Sequence, residues 1–95
     1  MKRVVRPSIQ VIEYARRLAP EPRRAIRHAL AELCEERGEI CALEANLSGY
    51  YRLRVGRHRT IFNYAADGAI EAVFIAERRL VYEMFEAQFI KRLKS

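Results

Sequence analysis

An α+β domain, with a helical hairpin followed by an antiparallel meander, is what this sequence predicts, and three observations predict it. Apolar residues recur at helical spacing over residues 9–34. They then alternate or run β-branched and aromatic over residues 50–77, and return to a four-residue repeat after residue 80. The resulting order is strand, helix, helix, three strands, helix, with the meander strands consecutive rather than separated by helices. With 95 residues the chain is expected to be one domain, residues 1–95, with a small core.

Residues 2–6 form a short basic strand candidate. Pro7 and Ser8 open the first helix, in which Ile9, Ile12, Ala15 and Leu18 recur at helical spacing and Arg16 and Arg17 lie outside. Ala19-Pro20-Glu21-Pro22 ends that helix, because proline cannot continue it, and Pro22 suits the first turn of the next. There Ile26, Ala29, Leu30, Leu33 and Cys34 make an apolar stripe, Arg23, Arg24, Arg27 and Glu35 face out, and Gly38 is the expected C-cap. Residues 50–55, 58–64 and 70–77 are the three strands, joined at Gly56-Arg57 and Asp67-Gly68. A last helix spans about residues 80–93, with Val81, Phe85, Phe89 and Leu93 along one stripe.

Eighteen Lys and Arg against twelve Asp and Glu give a formal net charge of +6. Lysine occurs only at positions 2, 91 and 94, so the basic character is arginine's, a planar fork that matches phosphate oxygens in pairs. Such a surface favours nucleic acid or an acidic protein as partner, or serves solubility alone. Cys34 and Cys41 form no CxxC pair and lack the companions of a metal set, so they are expected to be reduced core thiols. No cofactor is expected. The first residues lack the apolar run of a signal peptide, and no stretch is long enough to span a bilayer, so a cytoplasmic protein without membrane contact is expected.

Hairpin geometry says where the arginines point. With Gly56-Arg57 as a two-residue loop, Val55 pairs with His58, Arg54 with Arg59, and Arg52 with Ile61. With Asp67-Gly68 likewise, Tyr64 pairs with Glu71, Phe62 with Val73, Ile61 with Phe74, and Arg59 with Ala76. One face then carries Tyr51, Leu53, Val55, Thr60, Phe62, Tyr64, Val73 and Ile75, for the helices to cover. The other carries Tyr50, Arg52, Arg54, Arg59, Ile61, Asn63 and Phe74, with Arg78 just past the strand end. Arg54 directly opposite Arg59 destabilises the sheet by roughly a few tenths of a kcal/mol. An anion between the two would remove that repulsion; carboxylates such as Glu71 or Glu77, or splaying into solvent, are the other ways out. Tyr82 falls in the first turn of the last helix, four residues after Arg78, where guanidinium charge would favour its phenolate. In this register His58 points to the apolar face and is expected to be structural or at the sheet edge; a three-residue loop would instead put it on the arginine face and move Arg59 off it. His28 is expected to be solvated.

The stretch Leu47-Ser48-Gly49-Tyr50-Tyr51-Arg52-Leu53-Arg54-Val55-Gly56-Arg57-His58-Arg59-Thr60-Ile61-Phe62 resembles the central hairpin of the RelE/ParE toxin superfamily. Ile75-Ala76-Glu77-Arg78-Arg79-Leu80-Val81-Tyr82-Glu83 is similar to that superfamily's strand-end arginine followed by Val-Tyr, which favours the RelE side. The resemblance covers nearly the whole chain. It implies a type II toxin: a metal-independent endoribonuclease that cuts mRNA on the ribosome through attack of the ribose 2′-hydroxyl on the adjacent phosphate. Arg54, Arg59, Arg78 and Tyr82 would be its catalytic residues, and Arg52, Arg57 and Arg79 would hold RNA. The implied partners are a cognate antitoxin, ribosome and mRNA, with a toxin–antitoxin heterotetramer among the assemblies allowed. Relatives often carry lysines on the first strand of this hairpin, where this chain has Arg52 and Arg54. Arginine is a poor proton donor, which leaves the proton for the leaving group without an assigned source. The alternatives are a ParE-like inhibitor of DNA gyrase and a non-catalytic basic binding domain.

Overall fold

The chain begins with a short strand, β1 (Val5–Pro7), and a helical hairpin, α1 (Ile9–Arg17) and α2 (Pro20–Leu33). Strand β2 (Glu39–Ala42) and a single 3-10 turn at Ala45–Leu47 follow, then β3 (Tyr51–Val55), β4 (His58–Tyr64), β5 (Ile70–Glu77) and α3 (Val81–Lys94). The computed structural model describes the backbone of residues 2–94 and the side chains of residues 2–88. The strands form one sheet in the order β1-β5-β4-β3-β2, with β1 parallel to β5 and the other neighbours antiparallel. The expected α+β order and meander are present. The N-terminal strand is shorter and later than residues 2–6, and β2 is an addition that lengthens the meander by one edge strand.

Local chemistry explains the helix bounds. Ser8, in extended backbone, caps α1 by accepting a hydrogen bond from the Val11 N–H at 3.2 Å. Pro20 and Pro22 sit in the first turn of α2, where a missing N–H costs nothing. The end of α2 corrects the expectation for Gly38. Cys34 is the C-cap, and Glu36 takes the left-handed conformation (φ 56°), its N–H donating to the Leu33 carbonyl at 2.8 Å. Gly38 has φ 131° for a different reason: a Cβ there would lie 2.8 Å from Leu53 Cδ1.

The stripe of α1 is also corrected. Ile9 and Ile12 are 74% and 38% exposed, while Val11 is buried with Tyr14, Ala15 and Leu18 packed beside it. The helix start is docked edge-on to the sheet, beyond the point where β1 stops. Ser8 Oγ donates to the Val73 carbonyl at 3.1 Å. The Gln10 amide both donates to the Ile75 carbonyl at 2.7 Å and accepts from the Ile75 N–H at 2.9 Å. This fixes the rotation of α1 and turns Ile9 and Ile12 outward.

The helical hairpin covers one face of the sheet, burying Val11, Ile26, Ala72 and Ile75 in one cluster and Leu33, Leu53, Phe62 and Ile70 in another. On the opposite face α3 buries Val81 and Phe85 against Leu47, Ile61, Phe74 and Ala76. Phe89 and Leu93, expected on the same stripe, have side chains outside the described residues.

The second hairpin differs from the two-residue loop expected. Gly68 N–H donates to the Ala65 carbonyl and Ala65 N–H to the Ala69 carbonyl, a loop of three residues, so Tyr64 pairs with Ile70 and Phe62 with Ala72. An irregularity between Ile61 and Phe62 restores the expected pairs Ile61–Phe74 and Arg59–Ala76. The displaced residue is Val73, which packs on the α3 face and not beside Phe62 as expected. Cys34 is half-buried and Cys41 exposed, so the second thiol is no core residue. Among the described residues no helix is long and apolar enough to cross a membrane.

Candidate functional site

The β3–β4 turn sets the site. Gly56, at φ 59°, supplies the left-handed conformation that a two-residue hairpin loop needs. The pairs are those the sequence predicts: Val55–His58, Arg54–Arg59 and Arg52–Ile61. Arg52, Arg54 and Arg59 therefore project from one face of two adjacent strands.

Each arginine is held differently. Arg59 is only 7% exposed, and its Nη1 donates to the carbonyls of Gly56 at 2.8 Å and His58 at 3.0 Å. Among the described residues no carboxylate pairs with it. Burial, then the guanidinium charges of Arg54, Arg52 and Arg78, pull its pKa below the ordinary arginine value, with Tyr82 acting the other way. Arg54 is exposed, and its Nε lies 3.6 Å from Glu39 Oε2 on β2. Arg52 is half-buried: Nη1 reaches the Tyr82 hydroxyl at 3.4 Å, while Nε is buried without a hydrogen-bond partner. The contact with Tyr82 is the main reason the Arg52 pKa is raised. At 3.4 Å it is a long, weak hydrogen bond, one that can shorten around a ligand.

Arg78 is exposed just past β5, and its backbone N–H donates to the Arg57 carbonyl at 2.9 Å, fastening the end of β5 to the β3–β4 turn. Arg57 and Arg79 are exposed nearby in sequence; no hydrogen bond or ion pair joins their side chains to the other arginines among the described residues. The structure thus brings together Arg52, Arg54, Arg59 and Tyr82. It puts the Arg78 charge within reach of Arg59, and leaves Arg57 and Arg79 peripheral.

His58 stands on the other face, as expected. Its Nδ1 is 2.9 Å from the Tyr14 hydroxyl, and burial lowers its pKa. Tyr14 is shifted upward, by burial and then by Glu77. His28 is 77% exposed beside Glu32. The carboxylate that answers Arg54 is Glu39, which sequence reasoning missed together with β2. Cys41, paired with Arg52 in the register, shares the arginine face for the same reason. The local signal was faint: Glu39-Ile40-Cys41-Ala42 follows a glycine but has one β-branched residue and no alternation in polarity.

Chemically the face has the features that anion binding needs. Among the described residues it holds a buried guanidinium with only neutral carbonyls as partners, a second whose single carboxylate is solvent-exposed, and a third beside a phenol. No protein-family model matches the sequence, and no curated protein matches it either. Solved structures do match in fold. A chain of the RelBE2 toxin–antitoxin complex from Mycobacterium tuberculosis is 17% identical, with a TM-score of 0.71 over 82% of this chain and 100% of that one. A chain of the RelE–RelB complex from Pyrococcus horikoshii OT3 is 23% identical, with a TM-score of 0.67 over 82% and 97%. A chain of the heterotetrameric YoeB–YefM toxin–antitoxin complex from Staphylococcus aureus is 22% identical, with a TM-score of 0.60 over 78% and 94%. The fold is that of these toxin–antitoxin proteins, in keeping with the hairpin resemblance.

Proposed function

We propose that this chain is the toxin of a type II toxin–antitoxin system, an endoribonuclease that cleaves mRNA on the ribosome. The observation that carries the reading is the Arg54–Arg59 pair, two like charges opposed across one ladder with a third guanidinium, Arg52, against the Tyr82 hydroxyl. A phosphodiester lying over that face converts repulsion into binding.

In this reading Arg54, Arg59 and Arg78 neutralise the charge that builds on the five-coordinate phosphorus, and Arg52 fixes Tyr82 and the RNA backbone. Tyr82, acting as the phenolate, takes the proton of the 2′-hydroxyl, whose oxygen attacks the phosphorus. The bond to the 5′-oxygen breaks, leaving a 2′,3′-cyclic phosphate on one fragment. Arginine holds its protons too tightly to supply the leaving 5′-oxygen, which draws its proton from water. Arg57 and Arg79 steer RNA from the rim. Structures of this fold include toxin–antitoxin complexes, which supports a cognate antitoxin as partner here.

A ribosome-programmed mRNA cleavage assay tests the assignment. Tyr82→Phe and Arg59→Ala should each lower the rate by about 100-fold or more. Full activity in both variants removes these residues from the site. Trapped gyrase–DNA complexes with intact mRNA would select the ParE-like alternative.

A further inference from the structure

The β3–β4 turn serves both faces of the sheet at once. On the arginine face, the carbonyls that hold the Arg59 guanidinium belong to it: Gly56 at 2.8 Å and His58 at 3.0 Å. On the helix face the ring of that same His58 meets α1. Its Nδ1 is 2.9 Å from the Tyr14 hydroxyl, and the two rings lie edge to face with centroids 5.6 Å apart. Among the described residues no other side-chain hydrogen bond ties the helical hairpin to the turn. Strand β5 holds the turn through backbone only: Glu77 is opposite His58 in the ladder, and the Arg78 N–H donates to the Arg57 carbonyl at 2.9 Å. The His58 ring therefore pins the helix side of the turn, and the turn in its place holds Arg59.

We propose that His58 and Tyr14 are positioning residues for the arginine site: their hydrogen bond fixes the turn carbonyls, and through them the aim of the Arg59 guanidinium, so that a proton on the His58 ring is felt on the opposite face. A ring held at its tip cannot swing, and its own backbone carbonyl is held with it. A cation that must meet charge building on a phosphorus loses much of its effect when displaced by a fraction of its reach. Protonation disturbs this arrangement in two ways. The neutral ring has one acceptor nitrogen, whereas the imidazolium has donors only, so the bond to Tyr14 must reverse. The imidazolium also adds positive charge beside Arg57 and Arg59, with Glu77 as the carboxylate that opposes it. Glu21 of α2 lines the same open hollow of about 260 Å³ as Arg57 and the ring, and through that hollow solvent protons reach His58. Burial lowers the His58 pKa, Glu77 works against that, and Arg57 and Arg59 add to it, so the ring is neutral at neutral pH.

The kinetic consequence rests on the nuclease reading above; the coupling between His58 and Arg59 does not. The test runs the ribosome-programmed cleavage assay on wild type, Tyr14→Phe, His58→Ala and His58→Asn. Tyr14→Phe keeps the ring contact and removes the hydroxyl alone, so the fold is not at stake. The Asn amide offers a hydrogen-bonding atom near the place of Nδ1 and does not titrate. At about pH 7.5, Tyr14→Phe and His58→Ala should each lower kcat about 10-fold with KM within about threefold of wild type, and His58→Asn should recover most of the loss. Between about pH 7.5 and pH 5 the ratio of the wild-type rate to the His58→Asn rate should fall about fivefold or more, the division cancelling what Tyr82 contributes to both. In parallel, heteronuclear NMR of the chain without RNA follows the Arg59 Nε–H signal, which should shift with the His58 titration in wild type and stay flat in His58→Asn. A kcat within threefold of wild type in either Tyr14→Phe or His58→Ala overturns the proposal. So does a His58→Asn variant as slow as His58→Ala, a rate ratio that does not change with pH, or an Arg59 signal blind to the His58 titration. A wild-type chain that cleaves no mRNA while its Arg59 signal follows His58 would sink the nuclease reading and leave the coupling standing.

Discussion

The two faces of the β3–β4 hairpin are built from alternate residues of the same two strands, yet they do opposite work. On the helix side Leu53 and Phe62 are 1% and 0% exposed, inside a cluster completed by Leu33 of α2 and Ile70 of β5. On the other side, among the described residues, α3 covers Ile61 and its neighbours, and the face beyond them carries arginines that repel one another. The difference teaches that this sheet is stabilised from one side, while the other side is left to charge. The stability of the helix side is what allows like charges to stand opposite each other on the arginine side.

The largest effect should come from the packed side. Leu53→Ala is expected to cost about 2–5 kcal/mol, read from the urea midpoint, while Arg54→Ala, one residue along the same strand, should change stability by no more than about 0.5 kcal/mol. Equal costs would break the comparison. A sharper case is Arg59→Met. It replaces a buried cation by an apolar chain of similar length, at the loss of two hydrogen bonds to carbonyls. Relief from burial and from the neighbouring guanidinium groups should leave stability unchanged or raise it by up to about 1 kcal/mol, with cleavage abolished. A loss of more than that would make Arg59 a structural residue.

The smallest effect concerns pH, and it belongs to the packed side. Burial lowers the His58 pKa in the folded chain, so the unfolded chain binds the proton more readily. This contribution to stability is complete above the unperturbed histidine pKa of about 6.5 and is lost as pH falls through the lowered folded value. The urea midpoint of wild type should therefore drop between pH 7.5 and pH 5 by more than that of His58→Gln. Parallel curves would show that the Tyr14–His58 contact does not depend on protonation.

How much of this was legible in the sequence depends on how local the cause was. The Gly56-Arg57 turn lies within the chain segment it organises, so the Arg54–Arg59 pairing followed from spacing alone. The place of Tyr82 followed from one helical turn after Arg78. The rotation of α1 was not legible, because Ser8 and Gln10 bond to β5, 65 residues away, and overrule the apolar stripe through Ile9 and Ile12. The position of Val73 was missed because two irregularities offset each other: a loop longer by one residue and a compensating shift at Ile61/Phe62. Glu39 was missed because β2 has only four residues and gains its strand character from pairing with β3.

The Ser8 and Gln10 bonds to β5 have a further consequence, for self-association. Endless strand-on-strand growth needs an open margin at both sides of a sheet. Here one margin is a three-residue strand stopped by Pro7, and past it the Val73 carbonyl and both the N–H and the carbonyl of Ile75 are already taken by side chains. A second molecule could add to the β2 margin, but the stack would then end. A protein that crowds many guanidinium groups onto one side while leaving an edge strand at the other is thereby spared from zipping into fibres.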